Sequence, residues 1–170
     1  MSEIEINNLN NLLNNVSLIT KKYDDLAEYT GENFNLFDAV GIYQDELSHS
    51  AMLGYLLNAK GKHGQKDTFL KLFLEEIKNL QFGDVQTLTL KEFNSEKSHV
   101  IVEKHVGKVN HDDAEGGRID IIITEGKNNI IIENKIWADD QKQQLLRYYN
   151  YDKNAPIIYL TLNGKEPSEF

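Results

Sequence analysis

Residues 118–135 read Arg118-Ile119-Asp120-Ile121-Ile122-Ile123-Thr124-Glu125-Gly126-Lys127-Asn128-Asn129-Ile130-Ile131-Ile132-Glu133-Asn134-Lys135. Two isoleucine runs lie either side of a short polar turn. β-Branched side chains favour the pleated backbone, and Glu125-Gly126-Lys127-Asn128 predicts a tight antiparallel hairpin. Each predicted strand carries an acid where a core residue is expected. Glu133 and Lys135 are two apart and leave their strand on one face. Asp120 precedes Glu133 by enough residues for a strand, a turn and a return. Burying an unpaired carboxylate costs several kcal/mol, roughly, so Asp120 demands a cation or a strong partner. Two carboxylates and an ammonium so placed suit a divalent metal and a phosphate.

Working outward, near-continuous Ile and Leu on the strands implies a sheet covered on both faces, hence an α/β fold. Strands are predicted at 118–124, 129–136 and 157–162. Another is predicted from His99 to Val106, and one more from Asp84 on the period of Val85, Leu88 and Leu90. Helices are predicted over 5–28, 33–40, from Asp45 through Leu57, and over 68–80 with Asp67 or Thr68 as cap. The Asn cluster at 7–15 weakens the first. A further helix, capped by Asp139 or Asp140, reaches about Tyr151. Residues 107–117 read as a polar, glycine-containing loop.

The 170 residues fit one domain, 1–170, able to bury a core, and the 40% apolar content is that of a globular chain. The absence of cysteine excludes disulfides and thiolate zinc sites and fits a cytoplasmic protein. No apolar run approaches a membrane span. A net charge of -9 counts against a broad DNA-coating surface but leaves room for a cation site with local basic patches.

Asp120 and Glu133 can supply two oxygens to a hard cation such as Mg²⁺ or Mn²⁺, and the Asn134 carbonyl a third. Lys135 beside them can neutralise a phosphate. Gln141, Gln144 and Tyr148 share a helix face, with Gln144 and Tyr148 able to reach back to the strand ends and Arg147 to a backbone phosphate. Glu46 and His49 share a face of the earlier helix. There Glu46 can add a carboxylate to the cluster or hold a water beside it, and His49 can meet a phosphate. His63, His99, His105 and His111 show no zinc spacing. The plain alternative for the charges is local pairing, Arg118 with Asp120 and Lys135 with Glu133, with no cleft beside them.

Asp120 followed by Glu133-Asn134-Lys135 resembles the signature of the PD-(D/E)XK nuclease superfamily. Glu46, His49-Ser50, Leu56-Leu57, Gly61, His63-Gly64, Phe69-Leu70, Gly117-Arg118, Gln144-Leu145, Arg147-Tyr148 and Tyr159-Leu160 extend the resemblance to a prokaryotic and phage-associated branch over residues 35–166. Ile119 stands where the superfamily name has Pro. The resemblance implies a mixed central sheet flanked by helices, a restriction endonuclease-like core, with N-terminal helices. It implies Mg²⁺-dependent phosphodiester hydrolysis of nucleic acid, DNA foremost. It puts metal binding on Asp120, Glu133 and Glu46, assistance to the attacking water on Lys135, and a polar helix residue at Gln144. His49, Arg118, Arg147 and Tyr148 are the substrate-binding candidates. A C-terminal continuation and a homodimer are further expectations. A catalytically weak or inactive nucleic-acid-binding or regulatory module of the same fold is the alternative. Restriction, repair and phage defence are settings among which the sequence does not choose.

Overall fold

The computed structural model describes residues 3–168; Glu169 and Phe170, the end of the polar stretch after the last strand, lie outside the described residues. The chain divides into two compact units, Met1–Tyr43 and Gln44–Phe170.

In the first unit, α1 (Glu3–Thr30) is one uninterrupted helix through the asparagine cluster, followed by the single turn α2 (Leu36–Ala39). Gly31 ends α1 at φ +74, where the Glu32 N–H reaches back to the Ala27 carbonyl. This closure needs a left-handed residue just past the helix. Asn35 caps α2 by accepting from the Phe37 and Asp38 N–H groups. Leu9, Leu12, Val16 and Ile19 of α1 are exposed.

The second unit carries α3 (Glu46–Leu57), α4 (Thr68–Ile77), α5 (Asp84–Glu92), β1 (His99–His105), β2 (Arg118–Glu125), β3 (Asn128–Lys135), α6 (Gln144–Tyr151) and β4 (Ile157–Thr161). The sheet order is β1-β2-β3-β4, with the first two pairings antiparallel and β3–β4 parallel. This is an α/β fold on a mixed sheet, as the resemblance implied. Glu125 pairs with Asn128, so Gly126 and Lys127 alone make the hairpin turn, with Gly126 at φ +58. Ile121, Ile123, Ile130 and Ile132 pack with Leu57 of α3 and Leu70, Leu74 and Ile77 of α4. Ile119, Ile122 and Ile131 pack with Leu145 and Tyr148 of α6. The isoleucine runs are continuous because both faces are covered, each buried side chain contributing about 1.5–3 kcal/mol. α3 lies so close to β1 that a Cβ on Gly54 would meet Val102 Cγ2 at 2.3 Å.

Three local expectations are corrected. The segment from Asp84 is a helix, not a strand: Thr89 donates to the Val85 carbonyl one turn back and to the Asn154 carbonyl, while Gln86 donates to the Lys153 carbonyl. Asp67 precedes α4 but makes no side-chain cap, because its carboxylate accepts from Ser95 Oγ at 2.6 Å and pairs with Lys71 at 3.0 Å. α6 begins at Gln144 behind a left-handed Gln143. Asp140 caps nothing there and instead accepts from the Tyr159 hydroxyl and the Ser168 N–H.

Candidate active site

The sheet forks where its acids stand. β2 pairs with β3 only from Ile121 opposite Ile132 outward to the hairpin. Beyond that point β3 continues along β4, through Lys135 opposite Thr161, and β2 continues along β1. The Asp120 carboxylate enters the gap and accepts the Asn134 N–H at 2.8 Å, replacing a ladder carbonyl. Asn134 turns its side-chain amide to Ser50 Oγ at 3.1 Å on α3. The visible task of Asn134 is thus to fix Asp120 and tie β3 to α3.

Glu133 is 1% exposed and reaches Lys135 Nζ through Oε1 at 2.9 Å. Its other oxygen lies 3.1 Å from the Tyr148 hydroxyl, which donates to the Arg118 carbonyl at 2.6 Å and accepts from Gln144 Nε2 at 3.0 Å. Tyr148 is fully buried and acts as a strut beneath the acids, a correction to its expected place on substrate. Burial, then the neighbouring Asp120 carboxylate, pushes the Glu133 carboxyl up to about 7, against the pull of Lys135 and Tyr148. Burial likewise raises Asp120, partly offset by the Asn134 N–H and Lys135. Burial works to lower Lys135, yet Glu133, Glu46 and Asp120 together hold it above the ordinary lysine value, so it stays an ammonium.

Glu46 opens α3 and lines the same cleft, but its Oε1 accepts the N–H groups of Ile136, Trp137 and Ala138 at 2.8, 3.1 and 3.0 Å. Burial raises its carboxyl; those donors outweigh it and leave the group below its usual range. No group of three acids or histidines is gathered in metal-holding geometry among the described residues. The expected trio is therefore a pair, Asp120 and Glu133, with Glu46 clamping the chain that follows Lys135. The clamp comes from the first turn of α3, where Asp45 caps by accepting from Leu47 N.

Arg147 corrects a third expectation. It is 1% exposed, and its guanidinium donates to the Gly116 carbonyl, the Lys142 carbonyl and Gln141 Oε1. It pins the loop before β2 to the segment before α6 and has no face left for phosphate. Arg118 does face the cleft, but its partner is Glu103, with Nε 2.6 Å from Oε2, and not Asp120. Glu103 sits across β1 from Asp120 at φ +56, a conformation costly for a non-glycine residue inside a strand. Burial raises the Glu103 carboxyl, Arg118 lowers it and Asp120 raises it further. His49, one turn along α3, is not among the residues lining the cleft.

The cleft has a volume of about 820 Å³, and Glu46, Arg118, Asp120, Glu133, Lys135 and Gln144 all open onto it. Lys108, which the sequence reading did not single out, and His105, to which it gave no role, form part of its wall. An open cleft beside the charges departs from the plain ion-pair alternative, although the Lys135–Glu133 pair it foresaw is present. Two crowded carboxyls, both raised by burial, with an ammonium alongside fit a hard divalent cation, which takes oxygen ligands and keeps several waters.

A forked mixed sheet presenting two acids and a lysine from adjacent strands, backed by a glutamine and tyrosine on the next helix, defines the nuclease-like class of α/β cores. The family model for the PD-(D/E)XK nuclease superfamily matches residues 34–170, and the chain belongs to that superfamily. No curated protein and no solved structure matches the chain.

Proposed function

We propose that the second unit hydrolyses phosphodiester bonds in nucleic acid, DNA foremost, with Mg²⁺ or Mn²⁺ as cofactor. The observation that carries this reading is Asp120, Glu133 and Lys135 opening onto one cleft, with Glu133 held near 7. Asp120 and Glu133 would hold the cation, with the Asn134 carbonyl as a further proposed contact, while Glu46 fixes the chain that follows Lys135. When bound, the cation supplies charge neutralisation at the phosphate. Lys135 keeps its proton and donates it in hydrogen bonds to a non-bridging phosphate oxygen as negative charge develops there. Water is the nucleophile: its oxygen forms the new P–O bond and gives up a proton to bulk solvent, while the P–O3′ bond breaks and the leaving oxygen takes a proton from another water. Gln144 and Tyr148 keep Glu133 in place. Arg118, freed from Glu103 by a competing phosphate, steadies the flanking backbone.

A cleavage screen tests this. Linear, circular and single-stranded DNA and RNA are incubated with the protein in Mg²⁺, Mn²⁺ or EDTA, beside Asp120→Ala and Glu133→Ala. Metal-dependent cleavage lost in both variants is expected; undiminished cleavage by either removes that residue from the mechanism. Among the described residues no three-acid cluster is preassembled and the Lys135–Glu133 pair is intact, which favours the second reading, a catalytically weak nucleic-acid-binding module. That reading is met by binding without cleavage under every metal condition.

A second copy of the chain is the partner we propose for α1. Leu9, Leu12, Val16, Ile19, Tyr23 and Leu26 recur at alternating steps of three and four residues, and all are exposed. Such spacing makes a coiled-coil seam. Light scattering that reports a dimer for the native chain and a monomer for Leu12→Glu/Ile19→Glu is the expected result; a native monomer refutes it.

A further inference from the structure

Trp137 is the chain's one tryptophan and is 64% exposed. An indole normally buries its large apolar face. Here it stands in solvent two residues beyond Lys135, on a backbone that is anything but loose. The Glu46 carboxylate accepts the N–H of Trp137 itself and of both its neighbours, so the segment is fixed to the start of α3. A rigid support beneath an exposed ring is what a stacking platform requires.

The indole borders a second cavity of about 260 Å³, whose lining includes Tyr159, Thr161, Leu162, Asn163 and Lys165. Lys135 and Ala138 line both this cavity and the main cleft, so the two share a wall. The volume falls just below the roughly 300–1,000 Å³ of drug-sized ligand sites and suits one flat ring system. Apolar surface comes from Trp137 and Leu162, and Leu162 is itself 65% exposed. Asn163 Oδ1 accepts the Lys165 N–H, which leaves its amide nitrogen to donate to a base edge. Lys165 places a cation at the rim. Aromatic face, amide and ammonium together match a nucleotide: base, base edge and phosphate.

We infer that this cavity is a nucleobase site, in which Trp137 stacks on the base next to the phosphate lying at Asp120, Glu133 and Lys135. The inference rests on the nuclease reading for the position of that phosphate. It deepens that reading, because a base that stacks on Trp137 has left its own helical stack. The preferred substrate is then single-stranded, or a duplex end that frays.

The lone tryptophan makes fluorescence a direct reporter of the site. The native protein in EDTA is titrated with an octathymidylate, with an eight-residue abasic oligonucleotide of equal charge, and with a blunt hairpin. Quenching of Trp137 by the octathymidylate, with binding about tenfold weaker for the abasic strand, is expected from the usual strength of base–aromatic stacking. Trp137→Ala, followed by fluorescence polarisation of labelled octathymidylate, loses about tenfold in affinity, while Trp137→Phe retains most of it. Equal affinity for the base-bearing and abasic strands, or native affinity in Trp137→Ala, overturns the base site. The two readings fail separately. If Asp120→Ala abolishes cleavage but Trp137→Ala binds and cleaves like the native protein, the base site falls and the nuclease stands. If Trp137 is quenched by the base-bearing strand alone yet nothing is cleaved, the base site stands and the nuclease falls.

Discussion

Replacing Glu133 by Gln should stabilise the protein at alkaline pH, although the residue is among the most buried in the sheet. The native carboxyl is pushed from its ordinary 4.5 to about 7, by burial first and by Asp120 second. A raised acid means that the native state holds a proton the unfolded chain has released. The contribution from Glu133 is therefore fully present below pH 4.5 and is lost as pH rises through about 7. At about 1.36 kcal/mol per unit, a shift of this size is worth about 3 kcal/mol above pH 7. Gln keeps the shape of the protonated acid and carries no charge at any pH, so it escapes the loss. Urea unfolding in EDTA, followed by circular dichroism at pH 4.5, 6 and 8, measures it. The variant should match the native protein at pH 4.5 and exceed it by about 3 kcal/mol at pH 8. A Gln variant equal to or less stable than the native protein at pH 8 would refute the claim that these carboxyls crowd one another.

Lys135→Ala should lower cleavage by about 10²–10³-fold while Mn²⁺ affinity, read by calorimetry, stays level or rises because a neighbouring cation is gone; a parallel loss of both would move Lys135 into cation binding. Arg147→Met should cost about 3 kcal/mol in urea unfolding, since the carbonyls of Gly116 and Lys142 and the Gln141 amide lose their buried partner; an unchanged midpoint would show that the guanidinium is dispensable. Gly116→Ala should destabilise by about 2 kcal/mol or more, because its Cβ would lie 2.1 Å from the Lys108 carbonyl at φ +76; native thermal stability would count against the tight loop.

What could be read in advance was what is local. The hairpin announced itself through Gly126 between two isoleucine runs, and the anomalous acids on those runs marked the site, because alternation and turn chemistry act over a few residues. Long-range hydrogen bonding was not legible. Glu46 and Trp137 are 91 residues apart, and nothing in either neighbourhood says that one carboxylate will accept three N–H groups from the other segment. Arg147 and Gln144 lie on one short helix, yet only packing decides that the arginine is sealed inside. Val85 and Leu88 are three apart, which is a helical spacing, and only Leu88 and Leu90 keep the period of a strand; the Asn154 carbonyl that holds Thr89 is far along the chain. Glu103 carries no sequence signal at all: its importance comes from facing Asp120 across the sheet in a strained backbone.

Calorimetric titration of Mn²⁺ into the native protein, Asp120→Ala and Glu133→Gln at pH 6 and pH 8 bears most directly on the shared cation. A single site is expected in the native protein, about tenfold weaker at pH 6 because a proton competes for Glu133, and absent in both variants. Binding that survives Asp120→Ala, or that ignores pH between 6 and 8, would contradict it.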